Sequence, residues 1–196
     1  MIGSRNVSPY DDAPVLRLCI RVCLPLAMKI EIANETPADI AAIRAVTIAA
    51  FLNAQHTSHT EQFIVDALRE AGELTVSLVA KVADTVVGHV AISPVSISDG
   101  TSGWYGLGPI SVAPAYQRHG IGSRLMREVL RVLQGHGAAG CVLLGEPRFY
   151  SRFGFRSDVN LQLPGVPPEY FQALSFGASR PRGTVSYHAA FNAPKR

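Results

Sequence analysis

Residues 117–123, Gln-Arg-His-Gly-Ile-Gly-Ser, hold the types and spacing that most directly suggest chemistry in this chain. They follow an apolar, strand-like segment (Ile110, Val112) and a turn at Pro114, and they lead into an amphipathic helix. In that order the unpaired N–H groups of a first helical turn converge on one spot at the positive end of the helix dipole, where phosphate oxygens bind well. Gly120 and Gly122 carry no Cβ and let a bulky anion approach the main chain. Arg118 and Arg124 add positive charge beside it. The loop reads as a pyrophosphate site.

Residue types that are missing narrow the choice. A P-loop ends in Gly-Lys-Ser or Gly-Lys-Thr, and the lysines here are Lys29, Lys81 and Lys195. A dinucleotide fingerprint needs three glycines in GxGxxG spacing near the first strand, whereas this loop has two, far along the chain. Residues 140–146, Gly-Cys-Val-Leu-Leu-Gly-Glu, form an unbroken apolar run of the kind a buried parallel strand requires. Directly after it comes Pro-Arg-Phe-Tyr-Ser-Arg-Phe-Gly-Phe, 147–155.

The Q-x-x-G-x-G pattern of 117–122 resembles the acyl-CoA loop of the GNAT superfamily of N-acetyltransferases. Phe149, Tyr150, Gly154 and Phe155 match, in order and spacing, the Phe-Tyr-x-x-x-Gly-Phe segment with which that family closes its CoA site. The likeness runs from about Met28 to the C-terminus. In detail it is similar to the YhbS-like branch, in whose style 145–147 and the tail 183–191 (Gly-Thr-Val-Ser-Tyr-His-Ala-Ala-Phe) are written.

This resemblance implies an α/β GNAT fold: a mixed, mostly antiparallel sheet with a central parallel strand pair splayed to hold acyl-CoA, flanked by helices. It implies acetyl-CoA as co-substrate and no metal. The backbone of Ile110, Ser111 and Val112 would pair with the pantetheine arm as an added strand. Gln117, Arg118, His119, Gly120, Ile121, Gly122 and Ser123 would hold the pyrophosphate. Tyr150 would sit beside the CoA sulfur, where a phenol of ordinary pKa about 10 can protonate the departing thiolate. Backbone N–H groups around Val112 would stabilise the oxyanion.

The implied reaction is acetyl transfer to a primary amine of a small molecule or peptide by direct attack on the thioester. The contrasting reading is a non-catalytic acyl-CoA-binding sensor or assembly subunit. Histone-acetylating members carry a glutamate on the strand before the CoA loop, but 104–112 contains no Asp, Glu or His, so that role has no bearer here. Glu146, at the end of the following strand, could reach the slot as a base or equally pair with Arg148 or Arg152, whereas His56, His59 and Glu61 are read as residues of a solvated loop. His56 and His59 lack a third metal ligand nearby.

Elements that must position these groups are legible in the hydrophobic pattern. A strand over 28–33 precedes a helix capped by Thr36 with Pro37 in its first turn, its stripe being Ile40, Ile43, Val46 and Ala50 or Phe51. A second helix near 60–71 turns Phe63, Ile64, Ala67 and Leu68 inward. Two antiparallel strands, 74–82 and 86–97, join through 83–85, and a third ends at Val112, its pairing broken where Pro109 offers no N–H. The helix 120–134 buries Ile121, Leu125, Met126, Val129, Leu130 and Leu133, so 110–145 makes one βαβ unit with parallel strands. Residues 55–62 and 164–182, with Tyr170 and Phe171, are expected at the acceptor entrance.

At 196 residues and 47% apolar composition the chain suits one domain, 28–196, with 1–27 as a poorly ordered extension. Val15 to Met28 is apolar but broken by Arg17, Arg21 and Pro25, short of a membrane span. Seven arginines between positions 118 and 156 outnumber two acids, Glu128 and Glu146, which a triphosphorylated cofactor explains without nucleic acid as partner. Three cysteines argue against a disulfide framework and for a reducing, cytoplasmic location. The expected state is monomer or homodimer.

Overall fold

The computed structural model describes residues 28–54 and 59–192. The expectations for 1–27, with Cys19 and Cys23, and for Gln55 and His56 lie outside the described residues. Along the chain run β1 (Ile30–Asn34), α1 (Ile40–Phe51), α2 (Glu61–Glu70), β2 (Val76–Val82), β3 (Thr85–Ile97), β4 (Trp104–Val112), α3 (Ile121–Gly135), β5 (Gly140–Leu144), α4 (Pro147–Tyr150), β6 (Leu161–Gln162), β7 (Phe171–Ser175) and β8 (Gly183–Tyr187). The main sheet has the order β1-β2-β3-β4-β5-β7. Its neighbours are antiparallel except β4 and β5, the parallel pair that α3 connects. β8 pairs antiparallel with the end of β3 and parallel with β6.

Local sequence accounts for the sharper features. The Asp39 carboxylate accepts from Thr36 N–H at 2.9 Å and from its hydroxyl at 2.8 Å, closing a 3-10 turn around Pro37 that feeds α1. Ala83 and Asp84 both adopt positive φ, the mirror-image turn whose twist suits a two-residue hairpin between β2 and β3.

Strand alternation divides the core. On one face α3 lays Ile121, Leu125, Met126, Val129 and Leu133 against Leu78, Ala80, Val90 and Ile92. Each of those five helix side chains is at most 1% exposed. At about 1.5–3 kcal/mol per buried large aliphatic side chain, this contact anchors α3 firmly. On the other face Ile43, Val46 and Val65 of α1 and α2 meet Val79, Val86 and Ala91.

Three expectations need correction. Val65 rather than Phe63 is fully buried on α2, and Thr47 joins the buried stripe of α1. Residues 171–175 are strand β7, paired along the free edge of β5, so Phe171 is core and not part of an entrance. Pro and Gly on both sides, and a polar Gln172 within, hid this strand: the Gln172 amide is buried and donates to Gly145 O at 3.0 Å.

Candidate active site

The site begins where two strands part. β4 and β5 pair only from Trp104 opposite Gly140 to Leu107 opposite Leu143, yet β4 continues to Val112. The break has a local cause. Leu107 faces Ile92 and Ile110 faces Val90, so Gly108 and Pro109 together oppose the single residue Ala91. That is a β-bulge centred on a residue with no N–H to contribute. Beyond it the Ala113 N–H donates to Val87 O at 2.9 Å. Antiparallel alternation then turns the backbone of Ser111 into the β3 ladder and that of Ile110 and Val112 outward, into the slot.

Ser111 is therefore placed differently from its neighbours. Its side chain is buried against α1, with Oγ 3.3 Å from Thr47 Oγ1, and offers nothing to the slot. Gln117 ties the following loop back, its Nε2 donating to Val112 O at 3.0 Å. His119 is exposed and its Nδ1 lies 2.8 Å from Gln117 O. Arg118 has φ 64° and Gly120 φ 79°, so two left-handed residues bend the chain into the start of α3. The first helical bond runs from Arg124 N–H to Gly120 O, which leaves the N–H groups of Ile121, Gly122 and Ser123 facing outward ahead of the helix. Ile121 contributes only its N–H, since its side chain is in the core. Arg124 is drawn away from the loop: its guanidinium donates to Ile30 O of β1 at 2.9 Å.

Tyr150 closes the opposite lip. Glu146 is exposed and caps α4 by accepting from Arg148 N–H at 3.3 Å. Gly145 matters through what it lacks, because a methyl there would overlap the Tyr150 ring. Phe149 meets Tyr150 edge-on at 4.9 Å between centroids and carries the Arg152 guanidinium over its face at 4.5 Å. A Cβ added to Gly122 would lie 3.7 Å from Phe149 Cζ and 3.8 Å from Val112 Cγ2. The glycine loop and the Phe-Tyr segment, remote in sequence, thus come together at the end of β4. Burial pushes the Tyr150 hydroxyl up to about 12.

The remaining candidates scatter. Arg131 pairs with Glu128 on the surface, so the arginine excess is not one continuous patch. Cys141 is buried in β5, its thiol pushed well up by burial. His59 is exposed, and the described residues contain no cluster of three metal-ligating side chains. A cavity of about 700 Å³ lined by Glu35, Arg69, Ser77, Val132 and His136 opens at the far end of α3. With 15 residues at 1.5 Å each, α3 places it roughly 20 Å from Gly120.

A splayed parallel pair, a glycine-led helix start at its end and a tyrosine across the gap are the features of an acetyltransferase of the GNAT kind. The family model described as an acetyltransferase (GNAT) domain matches residues 73–157. The chain is 35% identical over 157 residues to the Escherichia coli K12 protein described as the uncharacterized N-acetyltransferase YhbS, covering 76% of this chain and 94% of that one. The chain belongs to the GNAT acetyltransferase family. Among solved structures, a GNAT family acetyltransferase from Brucella melitensis in complex with acetyl-CoA shares 50% identity at a TM-score of 0.75, over 84% of this chain and 99% of that one. Escherichia coli YhbS in complex with CoA shares 34% identity at 0.77, over 84% and 93%.

Proposed function

We propose that this protein transfers the acetyl group of acetyl-CoA to a primary amine of a small molecule or peptide, within a domain running from 28 to 196. The observation that carries the reading is the meeting of three parts at the end of β4: the outward backbone of Ile110 and Val112, the N–H groups of 121–123 ahead of α3, and the Phe149–Tyr150 segment, whose Phe149 ring comes up to Gly122. In this reading the first takes the pantetheine arm, the second the pyrophosphate and the third the sulfur. Relatives whose structures contain acetyl-CoA or CoA support the cofactor.

In this reading the amine nitrogen bonds to the thioester carbon and the carbonyl pair moves onto oxygen, held by N–H groups of β4. The pair returns as the C–S bond breaks, and the thiolate leaves with the Tyr150 proton. The proton shed by the nitrogen passes to solvent and restores the phenol, so the products are an amide and the free thiol of CoA. With its pKa raised to about 12, the phenol keeps its proton at every working pH and is present as a donor, though a weaker acid than a free tyrosine.

The test is thiol release from acetyl-CoA across a panel of amines, peptides and aminoglycosides, beside direct titration of CoA binding. At least one amine should accelerate release well above slow hydrolysis. Tight CoA binding with no acceleration by any acceptor would favour the sensor reading.

A further inference from the structure

The β8 segment, part of the tail 183–191, has no role in the reaction as drawn above, yet it reaches the point where the strands part. Tyr187 pairs with Val95 of β3, and its ring lies over Gly106 of β4, where a methyl would overlap it. Gly106 faces Val142 in the parallel pair, one residue before the last paired position, Leu107 opposite Leu143. Val95 Cγ1 crowds the same point over Gly106, and the Phe191 ring packs on Tyr187 with its centroid 4.6 Å away.

Two hydroxyls at this point lack partners. The Tyr187 hydroxyl is sealed from solvent and has no hydrogen-bond partner among the described residues. The same is true of Ser93 Oγ, and Ser93 is the ladder partner of Gly106 in β3. Buried hydroxyls without partners are costly, and two on one glycine mark a place built to meet a polar atom from outside the chain. Burial holds the Tyr187 phenol well above the usual tyrosine range and so protonated, and the neighbouring Cys141 thiol and Tyr150 phenol push it further the same way. The group is a permanent donor within electrostatic reach of Tyr150.

A donor with no acceptor needs an acceptor. The amine must keep its lone pair for attack, and the leaving sulfur already has Tyr150. The acyl oxygen of the thioester remains, and it gains negative charge as the nitrogen adds. We propose that the Tyr187 hydroxyl, with Ser93 beside it, donates a hydrogen bond to the carbonyl oxygen of the bound acetyl thioester. β8 thereby adds a side-chain donor to the oxyanion site. The inference rests on the acetyl-CoA reading above.

The experiment needs no acceptor. Acetyl-CoA labelled with ¹³C at the carbonyl is bound to wild type and to Tyr187→Phe, and the carbonyl stretch is read by isotope-difference infrared spectroscopy. The band should move to higher frequency in Tyr187→Phe, with acetyl-CoA affinity modestly weaker, since one hydrogen bond to the ligand is lost, and the melting temperature of the unliganded protein unchanged or higher, since there the variant removes an unpaired buried hydroxyl. Ser93→Ala should move it less, in the same sense, and serves as the reading should Tyr187→Phe not fold. With an acceptor in hand, turnover of Tyr187→Phe should fall on the order of 10²-fold, the scale of a lost oxyanion donor. An unmoved band in the folded variants with acetyl-CoA bound overturns the proposal while leaving the acetyl-CoA reading intact. Failure of wild type to bind acetyl-CoA overturns both.

Discussion

Tyr150 is the residue on which the proposed chemistry turns, and its surroundings say how it would work. Gly145 makes room for its ring against the end of β5, and Phe149 fixes it edge-on. A free tyrosine has a pKa near 10, so a descending alkaline limb near that value would be the naive expectation. Burial moves the phenol up to about 12, which takes that limb out of the practical range. Tyr150→Phe keeps the packing and removes the proton, so turnover should drop on the order of 10²-fold with CoA affinity nearly preserved. Steady-state kinetics beside calorimetric titration separates the outcomes. Equal turnover would reduce Tyr150 to a packing residue, and a comparable loss of affinity would make it a clamp on the cofactor.

Among the elements, the start of α3 carries the anion-binding argument. Gly120 is a poor place to test it, because φ of 79° makes any side chain strained there whatever its charge. Gly122 is helical, and an added Cβ would make only ordinary contacts with Phe149 and Val112. An acidic residue in a first helical turn favours the helix by about 0.3–1 kcal/mol, and replacing a helical glycine adds a similar gain. The same charge set about 6 Å from a phosphate repels it by roughly 2–3 kcal/mol at an effective dielectric near 20. Gly122→Asp should therefore melt no lower than wild type while CoA affinity weakens by roughly 10²-fold. An affinity loss accompanied by a lower melting temperature would point to damage to the fold, and unchanged affinity would remove the pyrophosphate from this loop.

For the molecule as a whole, a buried polar network sets the behaviour in acid. Arg69 grips Glu35 through two bonds at 2.8 and 3.0 Å, Ser77 donates to the same carboxylate, and Ser77 Oγ lies 2.8 Å from His89 Nε2. Since the serine proton goes to Glu35, Ser77 accepts from His89 Nε2–H, leaving Nδ1 bare and unpartnered among the described residues. Burial lowers the His89 pKa to about 4, with Glu35 opposing and Arg69 assisting. Burial raises the Glu35 carboxyl, but hydrogen bonds from Arg69 and Ser77 with the Arg69 charge outweigh it and leave it low. Between about pH 6.5 and 4 the unfolded chain takes up a proton at His89 that the folded one refuses, so stability falls with pH by up to ~3 kcal/mol. Glu35 adds loss in the same direction at lower pH. Urea midpoints measured across this window should slope steeply for wild type and more gently for His89→Gln, and equal slopes would dismiss the histidine as the cause.

Local pattern was enough to read the glycine loop, the amphipathic face of α3, the break at Pro109 and the parallel β4–β5 unit. Each rests on short-range physics: a missing N–H, a missing Cβ, a hydrophobic period. The convergence of Phe149 on Gly122 and of Tyr187 on Gly106 had no such signal, because in the sequence these glycines are indistinguishable from those that only shape turns. Strand β7 was hidden for a related reason. Its five residues gain stability as a strand only by completing the edge of β5, a contact between segments about thirty residues apart. Arg124, chosen for its place beside the loop, was taken by the Ile30 carbonyl, since a long side chain goes to whichever acceptor packing brings within reach. Which backbone groups of β4 face the slot, and which hydroxyls stay unpaired beside it, was likewise decided by the sheet, where register and alternation assign every donor to one side or the other.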